Sequence, residues 1–161
     1  MSRSSEISFG EGLSPNFMKM LEGLRHFVES EHILFKKLGL QATLFGVGEA
    51  SFDLTADNSF TDGDLIHGGV FTILLDTIMS ISVMTRLEAM QTMATINLKT
   101  DYPGAAKANA RLSCTAICHA IRDDVAFTSG RAIDKQTGEL IALAEATFMV
   151  GTRSKPKASR I

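Results

Sequence analysis

The segment Asp64–Ser80, "DLIHGGVFTILLDTIMS", places one carboxylate, Asp76, inside a long apolar run. An isolated charge in apolar surroundings is costly unless it is paired or chemically useful. Two glycines follow His67 where the run begins, and the acid lies nine residues after that histidine. The stretch therefore predicts a core helix that begins near Gly68 and carries one side chain in need of an explanation.

Length and composition restrict the class of protein. The 161 residues are 45% hydrophobic, 7% aromatic and carry a formal net charge of −2, so nucleic acid is not an expected partner. The apolar segment 70–84 is shorter than the roughly 20 residues that span a bilayer, and the N-terminus "MSRSSEISFGEG" lacks an apolar signal segment. We expect one domain over residues 1–161, located in the cytoplasm and independent of membranes.

Two helices and a polar tail are predicted from the sequence pattern. The stretch "SPNFMKMLEGLRHFVESEHIL" predicts an N-terminal helix over about residues 14–34, with Ser14 as the N-cap and Pro15 at the first helical position. The central helix is expected over about residues 68–87. Residues 151–161 form a polar, basic tail that is expected either to be solvated or to contact phosphates.

Segments with the pattern of β-strands flank the central helix. A hairpin is predicted around Gly46 and Gly48 in "LGLQATLFGVGEASFDLTAD". Four further strands are predicted in "MATINLKTDY", "NARLSCTAICHAI", "DVAFTSGRAIDKQ" and "ELIALAEATFMV", and their short links favour an antiparallel meander. The predicted fold is α+β, an antiparallel sheet of about five to six strands wrapped around one long central helix, plus the N-terminal helix.

Cys114, Cys118 and His119 are close in sequence and suggest a metal site. A strand alternates its side chains between two faces, so His119 is expected opposite both cysteines. We therefore predict that the cysteines pack in the core and that the chain has no metal site. Two cysteines also make no disulfide framework, which is typical of a reducing compartment.

The stretches "HGGVFTILLD", "TINLKTDYPGAA" and "GELIALAEATFMV" resemble the hotdog-fold thioesterases. They are most similar to the phenylacetic-acid-degradation and acyl-CoA thioesterase 13-like branch, and the resemblance covers roughly residues 35–150. It implies a hydrolase that converts an acyl-CoA thioester to a free acid and coenzyme A, with no cofactor besides the coenzyme A of the substrate. It also implies a homodimer with the active site at the subunit interface, and a dimer of dimers is expected.

The physics of the His-Gly-Gly motif agrees with that chemistry. Backbone N–H groups at the start of a helix lack intrahelical acceptors and favour negative charge, so Gly68 and Gly69 can form an oxyanion hole. His67 is expected to cap the helix. Asp76 lies eight residues beyond Gly68, which is about 12 Å along a helix. The resemblance implies that Asp76 of one subunit meets Gly68 of the other, as a general base or as a nucleophile.

Further site residues follow from the resemblance. Thr95 stands where relatives have Ser or Thr near the nucleophilic water, and Thr61 stands where many have Asn or Gln to hold the carbonyl. Asn58 is an alternative for that second role. Ser80, one helical turn after Asp76, is a candidate for orienting the carboxylate or the water. The simpler interpretation of Ser80 is a hydroxyl that bonds back to the preceding turn.

Alternatives to an esterase remain open at this stage. A hotdog protein that only binds acyl-CoA is favoured by Thr61, and a hotdog dehydratase would use His67 chemically. Asp76 could also be a structural acid that hydroxyl or backbone donors satisfy. The acyl pocket is expected between the interface helices, lined by the adaptable side chains of Met18, Met20, Met79 and Met84. The acyl group itself is left open among aliphatic, aryl-acetyl and hydroxybenzoyl groups.

Overall fold

The computed structural model describes residues 7–26, 33–89 and 91–152. In chain order the elements are β1 (Ser8–Phe9), α1 (Pro15–His26), α2 (Ile33–Lys37), β2 (Gln41–Gly46), β3 (Glu49–Thr55), a 3₁₀ turn (Asn58–Phe60), β4 (Thr61–Asp62), β5 (Leu65–Ile66), α3 (Gly68–Met84), β6 (Met93–Asp101), β7 (Arg111–Arg122), β8 (Val125–Asp134) and β9 (Leu140–Val150). The predicted part of the N-terminal helix at 27–32 and the tail at 153–161 lie outside the described residues.

The main sheet has the strand order β1-β2-β3-β7-β8-β9-β6. All neighbouring strands are antiparallel except the short pair β1 and β2. The six predicted strands correspond to β2, β3 and β6 to β9, so the α+β hotdog fold is confirmed. The predicted meander is correct for β7 to β9 but wrong for β6, which pairs with β9 rather than with β7. The nine-residue link 102–110 is long enough to carry the chain away from β6, so β7 pairs instead with β3.

Helix α3 lies on the inner face of this sheet. Nine of its side chains are buried, among them Leu74, Leu75 and Ile78, which are fully buried. The helix packs on β8 at Gly130, where an added Cβ would lie 3.2 Å from Met79 Cγ and 3.3 Å from Leu75 Cδ2. The missing side chain of the glycine therefore leaves room for Met79 and Leu75.

Helix α1 and the β2–β3 hairpin contact the C-terminal end of α3 and the residues that follow it. The Phe17 N–H donates to Ser14 Oγ at 3.1 Å, which confirms the predicted N-cap. The hairpin turn contains Gly48 at φ +79°, and its N–H donates to Thr85 Oγ1 at 2.7 Å. Helix α3 ends at Met84 rather than near residue 87, because the N–H groups of Arg86 and Leu87 bond three residues back instead of four.

One face of α3 is not covered by the sheet in the single chain. Ile73 is 48% exposed, and Thr72, Asp76, Thr77 and Ser80 on the same face are partly exposed. The sheet wraps the other side of α3 as predicted, and this face lies beside β6, which is the edge strand of the sheet among the described residues. The described helices include none that is long and apolar enough to cross a bilayer.

The two cysteines lie on the inner face of β7, and His119 lies on the outer face, as the alternation predicted. The His119 Nε2 forms a 2.7 Å hydrogen bond with Ser129 Oγ. Burial raises the pKa of the Cys114 thiol to about 12 and also raises the pKa of Cys118. Over the described residues, no group of three or more His, Cys, Asp or Glu side chains could hold a metal ion.

The close approach at Gly130 makes a prediction about stability. We expect Gly130→Val to lower the free energy of unfolding by about 1–3 kcal/mol, because the added methyl groups must displace Met79 and Leu75. Thr147→Val introduces the same side chain on the outer face of β9 and should change stability by less than about 0.5 kcal/mol. Urea unfolding of both variants tests this, and equal stability losses would contradict it.

Candidate active site

His67 caps helix α3 through its side chain. Its backbone is extended, and its Nδ1 accepts the N–H of Gly69 at 3.0 Å. Its own N–H donates to the Phe60 carbonyl at 2.9 Å, which joins the helix start to the preceding 3₁₀ turn. The predicted N-cap is confirmed. Because Nδ1 acts as an acceptor, the ring is neutral in this arrangement and carries its proton on Nε2.

This cap uses one of the two predicted oxyanion donors, which are the N–H groups of Gly68 and Gly69. The Gly69 N–H already has an acceptor in His67, whereas the Gly68 N–H has no acceptor among the described residues. A backbone donor at a helix start that lacks a partner is suited to bind a developing oxyanion. In this chain, Gly68 is therefore the stronger candidate of the two glycines.

Tyr102 lies against Gly68 and was missed by the sequence analysis. A Cβ on Gly68 would lie 3.3 Å from Cε1 and Cζ of the tyrosine ring, and the ring hydroxyl is hydrogen-bonded to Thr72 Oγ1. The side chain is 47% exposed, so the ring forms one wall of the surface next to the free N–H. The available signal was that the only tyrosine of the chain directly follows β6.

Asp76 and Thr95 are brought together as a pair. Thr95 Oγ1, on β6, donates to Asp76 Oδ1, on α3, at 2.9 Å. The carboxylate is partly exposed and lines an open cleft with a volume of about 510 Å³. The Thr95 hydroxyl and the cleft together account for a carboxylate within the apolar run, because this face of the helix borders the cleft. The other carboxylate oxygen, Oδ2, accepts no hydrogen bond from the described residues.

The cleft follows the uncovered face of α3 toward its C-terminal end. Ser80, Met84, Met93 and Phe148 line it together with the Asp76–Thr95 pair. The Ser80 hydroxyl donates to the Thr77 carbonyl at 2.7 Å, so the simpler interpretation of this serine is correct. Ser80 still lines the cleft, and a role in orienting water stays a prediction.

Thr61 and Asn58 lie on the segment that leads into α3. Thr61 pairs with Ile66 in the β4–β5 hairpin, next to His67, and its hydroxyl donates to the Asn58 carbonyl at 2.9 Å. The hydroxyl proton of Thr61 is therefore already used within the chain. Both residues stay candidates for contacting the substrate, since the β4–β5 hairpin and the bond from the His67 N–H to the Phe60 carbonyl hold this segment next to the helix start.

The expected methionine lining is only partly correct. Met84 lines the cleft, and Met20 lines a small neighbouring cavity together with Met84. Met79 does not line the cleft, because it is fully buried against Gly130 in the core. Met18 is an exposed residue on the surface of α1.

Gly68 and Asp76 cannot act on one atom within one chain. Both belong to the same continuous helix, Gly68–Met84, and eight residues of α-helix separate them by about 12 Å. The donor and the carboxylate therefore lie at two separate positions on the uncovered face of a single subunit.

Comparisons with known proteins agree with this fold. Residues 63–141 match the family model of the thioesterase superfamily. The structure of zebrafish thioesterase superfamily member 2 has a TM-score of 0.74 at 19% identity, covering 86% of this chain and 100% of that one. A putative thioesterase from Ralstonia eutropha JMP134, a phenylacetic acid degradation-related protein, has a TM-score of 0.70 at 26% identity, covering 84% and 99%.

A hypothetical thioesterase from Streptococcus pneumoniae TIGR4, solved with coenzyme A, has a TM-score of 0.64 at 20% identity, covering 71% of this chain and 88% of that chain. The search of curated proteins found no match. The fold is the one that these thioesterase structures share, and the thioesterase superfamily model matches residues 63–141 of the chain. The resemblance is confirmed, because the matched residues 63–141 include the His-Gly-Gly motif, α3 and the Asp76–Thr95 pair.

The cap at His67 makes a prediction about the helix start. We expect His67→Ala to lower the free energy of unfolding by about 0.5–2 kcal/mol, because the Gly69 N–H loses its acceptor. His67→Asn keeps a capping oxygen and should retain most of the stability. Thermal and urea unfolding of both variants measure the difference. An alanine variant as stable as the asparagine variant would show that the cap contributes nothing.

Proposed function

We propose that the protein hydrolyses acyl-CoA thioesters to a free acid and coenzyme A, at active sites formed between two subunits. The observation that carries the proposal is the Asp76 carboxylate, held by Thr95 at the edge of an open cleft. The partnerless N–H of Gly68 on the same helix supplies the complementary group. The thioesterase relatives, one of them solved with coenzyme A, support this choice of substrate.

The separation of Gly68 and Asp76 supports the subunit interface. In a two-fold dimer, residue i of one copy contacts residue j of the other, and the reverse also holds. Two antiparallel copies of α3 can therefore place Gly68 of each chain beside Asp76 of its partner. The result would be two equivalent sites in each dimer.

Two exposed apolar side chains favour a second copy on this face. Ile73 on α3 is 48% exposed, and Ile96 on β6 is 54% exposed. Strand β6 is an edge of the main sheet, so its free backbone groups are available for pairing with another β6. Such pairing would continue the sheet across the dimer, and two dimers would form the expected tetramer.

The chemistry then follows from the two groups. The thioester carbonyl oxygen accepts the Gly68 N–H of one subunit, which stabilises the negative charge that develops on it. Asp76 of the other subunit takes a proton from water while the water oxygen bonds to the carbonyl carbon. The C–S bond then breaks, the acid is released, and the coenzyme A thiolate takes up a proton. Direct attack by Asp76 on the carbon, followed by hydrolysis of the anhydride, is the second route.

The remaining candidates act around these two groups. Thr95 donates to Oδ1 of Asp76 and thereby leaves Oδ2 to contact the water or the carbon. His67 holds the helix start through Nδ1, so it positions the Gly68 N–H. Gly69 contributes through that same cap. Thr61 and Asn58 border the carbonyl side, and Ser80 lies one turn beyond the carboxylate.

A protein that only binds acyl-CoA is the second candidate. The Gly69 N–H and the Thr61 hydroxyl both donate to acceptors within the chain. Gly68 is then the free backbone donor at the described helix start. Fewer donors for an oxyanion favour a protein that binds the thioester without hydrolysing it. A dehydratase is less well supported. Its catalytic histidine would need a free basic nitrogen, and Nδ1 of His67 is engaged with Gly69.

Replacement of the carboxylate tests the hydrolase. We expect Asp76→Asn to fold normally and to lose turnover by about 10²–10⁴-fold, because the amide still accepts from Thr95 but cannot take up a proton. Thiol release from a panel of acyl-CoA substrates measures the rate. Asp123→Asn, in the β7–β8 turn, makes the same change far from the cleft and should leave the rate unchanged. If the wild-type protein binds the acyl-CoA substrates but releases no thiol, the alternative of a protein that only binds acyl-CoA is correct.

Mixing two inactive variants tests the interface. Gly68→Pro removes the free N–H at the first helical position, where proline is well tolerated. A heterodimer of Gly68→Pro and Asp76→Asn chains retains one intact site, which combines Gly68 of one chain with Asp76 of the other. Random mixing should therefore restore about one quarter of wild-type activity. If the mixture stays as inactive as its parents, the two residues do not act across subunits.

A further inference from the structure

The cleft continues well past the Asp76–Thr95 pair. Asp76, Ser80 and Met84 are spaced by four residues, so they form one row along the uncovered face of α3. Strand β6 borders this row, with Met93 lying beyond Thr95 toward the C-terminal end of the helix. The far end of the cleft is therefore walled by the thioether side chains of Met84 and Met93.

A second cavity lies behind Met84. It has a volume of only about 10 Å³, which is roughly the space of one water molecule. Phe17 and Met20 of α1 line it, together with Met84 and Gln91, and the last two residues also line the large cleft. Met84 therefore stands between the cleft and the space beneath α1.

The outer wall of this second cavity is held in place by hydrogen bonds. Asn16 Nδ2 donates to the Glu88 carbonyl at 2.7 Å, and Ser14 Oγ donates to the Leu87 carbonyl at 3.3 Å. Phe17 is buried beneath these contacts. Met84, in contrast, is partly exposed and has an unbranched side chain that can change its rotamer easily.

We propose that Met84 is the end wall of the acyl-binding cleft and determines which acyl chain lengths the protein accepts. The inference rests on the proposed function and adds the substrate class, unbranched aliphatic acyl groups. The far end offers thioethers, the Phe148 ring and the neutral amide of Gln91, with no charged group among the cleft-lining residues there. A cleft of about 510 Å³ is within the usual size range of small-molecule sites.

The affinity of the protein for alkyl chains should therefore depend on chain length up to the length that reaches Met84. S-alkyl-CoA thioethers lack the thioester carbonyl and are not substrates for thioester hydrolysis, so they report binding alone. For wild-type protein we expect binding to tighten about fourfold for each added methylene up to one length and then to level off. Calorimetric titration across a series of chain lengths locates that limit.

Substitutions at Met84 should move the limit in opposite directions. Met84→Ala removes three heavy atoms and joins the cleft to the space beneath α1, so the limit should rise by about two carbons. Met84→Phe should lower it, and Met84→Leu, which conserves volume, should keep it close to wild type. Met18→Ala makes the alanine change at an exposed position of α1 and should leave the limit unmoved. Melting curves verify that each variant is folded. If Met84→Ala is unfolded, the shift of the chain-length limit in Met84→Phe alone tests the inference.

Two outcomes overturn the inference. One is a series in which the Met84 variants change affinity equally at all chain lengths, and the other is the absence of any length dependence in the wild type. Thiol release from matched acyl-CoA substrates separates this result from the proposed function. If the limit moves with Met84 but no thioester is hydrolysed, the hydrolase is wrong while the acyl cleft stands.

Discussion

A single rigid helix holds the two groups that the proposed chemistry must combine. Gly68 and Asp76 both lie on α3, and the fixed rise of an α-helix keeps them about 12 Å apart. Neither rotamer changes nor small backbone shifts can close that distance within one chain. An uncovered helix face, an exposed edge strand and two exposed isoleucines all occur on the same side of the subunit. The proposal of a second copy therefore rests on helix geometry.

Strand β6 and the residue that follows it bring two further side chains to helix α3. Strand β6 lies at the edge of the sheet, next to β9, and runs along the uncovered face of α3. That position brings Thr95 to Asp76 and, at the end of the strand, Tyr102 to Gly68. The close contact at Gly130 holds the opposite face of α3 against β8. One face of the helix therefore supplies core packing, and the other is left free for chemistry.

The sequence analysis was most successful where a local pattern has one physical outcome. Alternation in β7 correctly placed Cys114 and Cys118 inside and His119 outside, and the Ser14-Pro15 pair correctly located the start of α1. It failed where several elements compete for one position. Met79 was expected in the pocket but lies in the core, because the side of the helix that faces the sheet depends on the strand order. The pairing of β6 with β9 was missed for the same reason.

By itself, the sequence determined the helix that starts at Gly68, the N-cap position of His67 and the spacing between glycine and acid, since these depend on residues close together in the chain. Only the tertiary structure decided that His67 occupies the Gly69 N–H, that Tyr102 covers Gly68, and that Thr95 donates to Asp76. The last two contacts join residues 19 or more positions apart, and the capping bond depends on one rotamer of an exposed ring. Local sequence periodicity does not predict these three contacts. They depend on how β6 and the loop before α3 pack against the helix.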